Sequence, residues 1–200
     1  MPAHNQLAEL LAAEGKAEAL FAAIESQGLV RPGRTETDVD QDIYALAEQS
    51  FGVRKHWHKR IVRSGPNTVC VFAENPPVRT ITEDDTAFLD LGPVFDEWEA
   101  DVGRTYVMGN DPEKHRLCQD LPRIFDAIKQ YFDDHRDVTG AELYAYAQQC
   151  AESAGWLLVA QSPGTSSANF HMPGFLATRI TTGSVQRIHN ACATRTLPGR

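Results

Sequence analysis

The stretch FLDLGPVFDEWEADVGRT, residues 88–105, places Asp90 inside an apolar run and a second aspartate, Asp101, beside Val102. A carboxylate among apolar neighbours is costly to bury unless a cation, a set of hydrogen bonds or a metal compensates its charge. The rest of the sequence has to indicate which of these compensates the two aspartates.

Asp90 ends one predicted strand and Asp101 begins the next, with GPVFDEWEA as the outer part of a hairpin between them. Neighbouring antiparallel strands bring such side chains onto one face, a few ångströms apart. Two carboxylates that close repel, so that one of them holds a proton or a cation lies between them. Oxygen ligands suit Mg²⁺, Ca²⁺ or Mn²⁺. The alternative is that Asp90 forms a turn and Asp101 pairs with Arg104.

Helical patterns flank this stretch on both sides. An amphipathic helix is predicted over residues 6–27, with apolar side chains at helical spacing: Leu7, Leu10, Leu11, Leu20, Phe21 and Ile24. A second helix should follow the capping pair Thr35 and Asp38, with Val39, Ile43, Leu46 and Ala47 facing inward. A long helix is expected after Pro112, bent or restarted at Pro122, and another after the capping pair Thr139 and Glu142.

Four β-rich runs lie between these helices: HKRIVRS, NTVCVFA, DTAFLDLG and RTYVMG. The turn-forming segments SGPN, ENPP and EDD separate them. The order of two helices, an antiparallel meander and two helices predicts an α+β fold rather than alternating βαβ units.

The composition is that of one globular domain. The chain has 200 residues, of which 42% are hydrophobic and 23% charged, and its net charge is −8. An acidic surface argues against nucleic acid or an anionic membrane as a partner. No apolar run can cross a bilayer, and no secretory signal is recognisable. The four separated cysteines, Cys70, Cys118, Cys150 and Cys192, are typical of free thiols, which favours the cytoplasm.

The stretch also resembles the first half of the metal signature of the M24 metallopeptidases, which include methionine aminopeptidases, prolidases, Xaa-Pro aminopeptidases and creatinase. The matching positions are Asp90, Gly92, Asp101, Arg104 and Thr105. In addition, RPGRTETDVD resembles the family's Pro-Gly-x-Thr-Glu helix start, SGPN its Ser-Gly-x-Asn turn, and the segment 109–112 its passage into the next helix. These pieces follow in the family's order over residues 7–164.

The resemblance implies a pita-bread fold that holds two divalent metal ions with two Asp, one His and two Glu, and that activates water for attack on peptides at their N-terminal end. Asp90 and Asp101 would be the first two ligands, with Asp101 bridging the metals. Arg104 and Thr105 would stand behind them, and Arg104 would hold a ligand carboxylate in place. No catalytic side chain is assigned.

The metal and the partners are expected on the same basis. The carboxylate-rich half-site favours Mn²⁺, with Co²⁺ or Zn²⁺ as alternatives. The expected partner is a peptide substrate, and a homodimer is compatible with the sequence.

Two departures from the family pattern stand out. The family carries a substrate-contacting histidine before its first metal aspartate, and the corresponding FAENPPVRT, residues 72–80, contains none. His56 and His58 lie earlier, at an i, i+2 spacing that could bind a metal. Because Lys55, Lys59 and Arg60 surround them, we expect them to form a solvated surface instead.

The second departure is the tail. Thr165 stands where the family has a ligand histidine, and residues 165–200 contain four arginines but no Asp, Glu or Lys. His171 and His189 lack the neighbours of the family's histidines. A shift of reading frame after Gly164 would allow TSSANFHMPGFLAT to be read as HLIGEFPHARIPGD, which has the missing His, Ile-Gly and Pro-His. The DNA around Gly164 tests this hypothesis, because a DNA sequence that cannot encode that string would refute it.

The leading interpretation is a metal-dependent M24 exopeptidase whose partial pita-bread domain spans residues 1–164, incomplete at its C-terminus and followed by an out-of-frame tail, 165–200. It should be inactive as written, because three of the five ligands are missing. One alternative is a non-catalytic pita-bread module that binds peptide or protein. Another is an unrelated α+β domain, which would be favoured if Asp90 and Asp101 lay apart.

Overall fold

The computed structural model describes residues 3–70 and 72–158 and, beyond them, three short strands. The helices are Ala3–Ser26 (α1), Glu36–Phe51 (α2), Pro112–Asp134 (α3) and Gly140–Ser153 (α4). The strands are Ile61–Ser64 (β1), Thr86–Leu91 (β2), Val94–Phe95 (β3), Trp98–Glu99 (β4), Val102–Val107 (β5), Ile180–Thr181 (β6), Ser184–Val185 (β7) and Cys192–Thr194 (β8). The predicted mixture of helices and an antiparallel meander is therefore confirmed.

The main sheet has the strand order β1-β2-β5-β8. Strands β1, β2 and β5 are antiparallel, and β8 pairs in parallel with β5. The register places Asp90 of β2 between Ile61 of β1 and Gly103 of β5. Strands β3 and β4 form a separate two-stranded ladder at the outer end of the β2–β5 hairpin.

Helices α1 and α2 cover one face of this sheet. Their buried side chains pack with those strand residues that point to the same face, namely Ala87, Leu89, Leu91, Val102 and Tyr106. In α2 the four predicted inward positions are all buried. The helix predicted over residues 6–27 is present as α1, in which Leu7 and Leu11 are 48% and 51% exposed and the buried apolar side chains lie between Ala13 and Ile24.

Helices α3 and α4 pack on each other through a second apolar cluster, which includes Leu121, Ile124 and Tyr144. Helix α3 continues through Pro122, so the chain does not start a second helix there. The predicted capping boxes at Thr35 and Thr139 are both present. Among the described residues, no helix combines the length and the apolar character needed to cross a membrane.

The prediction of a strand over the run NTVCVFA is wrong. The chain forms a 3₁₀ helix over Gly65–Val69 directly after β1. Pro66 stands in its first turn, Gly65 has a φ of 51°, and the Thr68 hydroxyl donates to the Gly65 carbonyl at 2.7 Å. These turn-forming features end β1 at Ser64, so the β-rich composition after it does not produce a strand.

A buried carboxylate joins the pieces of the fold that precede the hairpin. Glu36, in the first turn of α2, is only 7% exposed. Its side chain accepts hydrogen bonds from the Ser64 backbone N–H at 2.7 Å, the Asn67 amide at 3.0 Å and the Arg79 backbone N–H at 3.1 Å. The helix start and the Ser-Gly-x-Asn turn, separate motifs in the sequence, thus meet in a single cluster.

We predict that Glu36→Gln lowers the free energy of unfolding by about 1.5–3 kcal/mol, because an amide nitrogen would face donors that need an acceptor. Urea unfolding followed by circular dichroism measures the loss. Glu48→Gln is the matched control, since Glu48 lies exposed on the same helix and should change stability little. Equal stability of the two variants would contradict the structural role of the Glu36 carboxylate.

Candidate metal centre

The β2–β5 hairpin determines where Asp90 and Asp101 lie. Its outer end is the β3–β4 ladder, in which Phe95 pairs with Trp98, and Asp96 at the tip adopts a φ of 57°. Ala100 donates its backbone N–H to the Pro93 carbonyl at 3.0 Å, which keeps the two arms together between the ladders. The hairpin predicted from GPVFDEWEA is therefore present.

Strand alternation separates polar from apolar side chains on this hairpin. Leu89 and Leu91 point to the helices, so Asp90 points to the opposite face of the sheet. Asp101, just before β5, lies on the same face as Asp90, diagonally across the hairpin. The two side chains are 17% and 5% exposed, so the carboxylates converge largely out of water.

The segment before β1 runs alongside the hairpin and brings a third group to it. Trp57 donates two hydrogen bonds to the hairpin: its backbone N–H to the Gly92 carbonyl and its indole Nε1–H to the Ala100 carbonyl, both at 2.9 Å. Val94 donates to the Lys55 carbonyl at 3.0 Å. These bonds attach residues 55–57 to both arms of the hairpin and place His58 next to the aspartates.

His58 Nε2 lies 3.7 Å from a carboxylate oxygen of Asp90 and 3.7 Å from one of Asp101. One possible ligand atom from each of the three residues lies within 4.8 Å of the others. Burial opposes a charge on the ring, but the carboxylates of Asp101 and Asp90 outweigh it and raise the pKa of His58 above its usual value. The arrangement has the donor types and the spacing of a site for a divalent cation.

The prediction of a solvated surface is wrong for His58, whose side chain is only 9% exposed. It is also wrong for His56, which is half-buried and whose pKa burial lowers to about 4. The i, i+2 spacing of the two histidines was the available signal. The charged neighbours concealed it, because the exposed side chains of Lys55 and Lys59 flank a segment that itself packs onto the hairpin.

Gly92 leaves the space that His58 occupies. A Cβ at this position would lie 2.6 Å from His58 Nε2 and 2.8 Å from the Trp57 indole nitrogen, closer than side chains approach. Any larger residue at position 92 would displace the imidazole. The glycine that follows the first aspartate therefore has a steric reason in this structure.

Arg104 and Thr105 were expected behind the two aspartates. Arg104 lies on the opposite, helix-facing side of β5, where its guanidinium donates to Glu25 and Glu18 of α1, both at 2.7 Å. It holds carboxylates in place, but those of α1 rather than Asp90 or Asp101, because residues 101 and 104 fall on different faces of an extended chain. Thr105 lies on the face of Asp101, and its backbone pairs with Phe88.

The remaining candidate positions, Thr165, His171 and His189, lie outside the described residues. The structure thus brings together Asp90, Asp101 and His58. Aspartates lying apart would have favoured the alternative of an unrelated domain, but the hairpin brings Asp90 and Asp101 together.

Comparison with known proteins identifies the family of the chain. Residues 8–190 match the sequence model of metallopeptidase family M24. The chain belongs to this family. The match extends past Gly164 into the segment for which a shifted reading frame is predicted. The shift of reading frame stays a prediction. None of the curated proteins matches the chain.

Solved M24 structures share the fold. A prolidase from Thermococcus sibiricus superimposes with a TM-score of 0.61 at 21% sequence identity. The superposition covers 76% of this chain and 40% of the prolidase chain. An X-Pro aminopeptidase from Thermotoga maritima gives 0.60 at 17% identity, with 76% and 42% covered. The prolidase from Pyrococcus horikoshii gives 0.58 at 18% identity, with the same coverage.

The predicted pita-bread fold of the M24 metallopeptidases is therefore confirmed for the part of the chain that superimposes. This chain spans less than half of the length of these solved relatives.

We predict that Gly92→Ala lowers the free energy of unfolding by about 1–3 kcal/mol, because the new methyl group overpacks the space between the His58 and Trp57 rings. Thermal unfolding and tryptophan fluorescence measure the loss and the displacement of Trp57. Gly140→Ala is the control, since a Cβ there meets nothing within 4 Å. A Gly92 variant as stable as the control would show that the His58 position is not constrained by this contact.

Proposed function

We propose that this chain carries part of the metal site of an M24 exopeptidase, with Asp90 and Asp101 as metal ligands. The observation that supports this function best is the convergence of the buried Asp101 carboxylate, the partly buried Asp90 carboxylate and an imidazole on one face of a hairpin in an M24 fold. The proposed reaction is metal-dependent hydrolysis at the N-terminal end of a peptide by the completed enzyme.

The aspartates do two things in this proposal. They supply oxygens to the ion from the two arms of one hairpin, so that the hairpin register sets the distance between them. Their burial weakens screening by water, which strengthens the attraction to a cation and also makes their mutual repulsion costly without one. When bound, a divalent ion activates water and polarises the peptide carbonyl.

The names of the solved relatives favour one class of substrate. These relatives carry the names prolidase and X-Pro aminopeptidase, which favours peptides with proline as the substrates of the whole protein. We propose peptides of this class, with Mn²⁺, Co²⁺ or Zn²⁺ as the metal. No side chain of this chain is assigned a catalytic role beyond holding the metal.

The activity of the 200-residue chain itself is a separate part of the proposal. The family's site uses five ligands, and Asp90 and Asp101 are two of them. The remaining three would follow Gly164, where the sequence contains no Glu. We propose that residues 165–200 are an out-of-frame tail and that the chain, as a partial domain, lacks turnover.

The test of the proposed metal site is metal retention by the purified chain. After loading with Mn²⁺ and gel filtration, elemental analysis should find bound metal in the parent chain and a loss of it in Asp90→Asn and Asp101→Asn. Asp96→Asn is the matched control, because Asp96 lies on the same hairpin with its side chain 83% exposed. Equal metal content in the parent and all three variants would contradict the site.

The same preparations test the proposed lack of turnover. Xaa-Pro and Met-Ala peptides incubated with the Mn²⁺- or Co²⁺-loaded chain should show no hydrolysis above buffer, because two aspartates do not make a dinuclear centre. Turnover that Asp90→Asn abolishes would refute the inactivity and support the enzyme outright.

A further inference from the structure

His58 has an unusual environment for a histidine outside the family's ligand set. Its side chain is 91% buried, since 9% is exposed, and its Nε2 has no hydrogen-bond partner within 3.5 Å. This nitrogen points at the space between the Asp90 and Asp101 carboxylates. An unpartnered buried nitrogen costs free energy unless something occupies that space.

The other ring nitrogen determines what Nε2 can do. His58 Nδ1 lies 2.7 Å from the Lys59 carbonyl oxygen, which can only accept a hydrogen bond. Nδ1 therefore carries a proton, and in the neutral ring the lone pair is on Nε2. A metal-binding imidazole is oriented in the same way, with one N–H donated to a carbonyl and the other nitrogen left for the metal.

The ring is also held in this orientation before any ligand arrives. The Trp57 indole packs edge-on against it at 4.4 Å between centroids, and the Phe72 ring also meets it edge-on at 6.0 Å. Gly92 provides the space beside Nε2. A ligand fixed by its surroundings loses little freedom when it binds a metal, which favours affinity.

We infer that His58 Nε2 binds the same ion as Asp90 and Asp101, so that the chain has a three-ligand site of one imidazole and two carboxylates. This inference rests on the proposed metal role of the two aspartates and adds a ligand that the M24 resemblance does not supply. The 3.7 Å separations from Nε2 to each carboxylate are close to the edge of a tetrahedron around an ion with bonds of ~2.1 Å, which is ~3.4 Å.

The imidazole changes the expected metal. Two carboxylates alone favour Mn²⁺ or Mg²⁺, but an imidazole nitrogen favours later transition metals, of which Zn²⁺ is the commonest. Three protein ligands also leave a position open on the ion. The site should therefore prefer Zn²⁺ or Co²⁺ to Mg²⁺, and His58 should carry that preference.

The experiment titrates Zn²⁺ into the metal-free 200-residue chain and its variants by calorimetry, and follows the imidazole nitrogens by ¹⁵N NMR. The variants are His58→Gln, Asp90→Asn and, as a matched control, His135→Gln at the exposed end of α3. His58→Gln also identifies the His58 resonance by its absence. The NMR measurement on the parent chain does not depend on whether the variant folds.

The expected result is a Zn²⁺-induced shift of the His58 Nε2 resonance, with the Nδ1 resonance nearly unmoved. His58→Gln should bind Zn²⁺ at least about tenfold more weakly than the parent and lose the preference for Zn²⁺ over Mg²⁺. His135→Gln should bind like the parent.

Two results would overturn the inference, and they differ in what they leave standing. If Asp90→Asn abolishes Zn²⁺ binding while His58→Gln binds like the parent and the His58 Nε2 resonance does not shift, His58 is not a ligand but the aspartate site survives. If the parent and Asp90→Asn bind Zn²⁺ equally or not at all, the aspartate site fails as well.

Discussion

The described structure depends most on the hydrogen bonds that the buried Glu36 carboxylate accepts. It accepts hydrogen bonds from Ser64 at the end of β1, from Asn67 in the 3₁₀ helix and from the backbone of Arg79. A buried carboxylate is tolerated only when its oxygens are satisfied, so these segments must come together for α2 to pack on the sheet. Once β1 is placed in this way, the residues before it lie along the hairpin.

The sheet separates two sets of charges that the sequence places close together. On the helix face, Arg104 joins β5 to α1 through Glu18 and Glu25 and lies over the Phe21 ring at 4.5 Å. On the opposite face, Asp90 and Asp101 have His58 between them. The alternation of side chains along β2 and β5 keeps these two sets of charges apart. An aspartate on the helix face would be repelled by Glu18 and Glu25. An arginine on the opposite face would pair with Asp90 and Asp101.

Much of the fold could be predicted because its signals are local. The capping pairs at Thr35 and Thr139 and the hairpin between Asp90 and Asp101 each depend on residues close in sequence. His58 could not be placed, because its position results from backbone bonds of Trp57 and Lys55 to residues more than thirty positions away. The run after Ser64 forms a 3₁₀ helix because local turn features, Pro66 and the positive φ of Gly65, override its β-rich composition, and Asn67 adds a bond to Glu36, 31 positions away.

The candidate site brings together three possible ligands, whereas the M24 resemblance implies five. This difference separates the proposed ion binding from catalysis. Asp90, Asp101 and His58 are positioned by one hairpin and the segment attached to it, all within residues 55–107. The Glu36 carboxylate, outside this range, places β1 and thereby the preceding segment that carries His58. In our proposal the chain binds an ion with these three groups and lacks the further ligands of a dinuclear centre. Ion binding and the folding of this hairpin should be linked, because an ion that binds only the folded arrangement stabilises it by mass action.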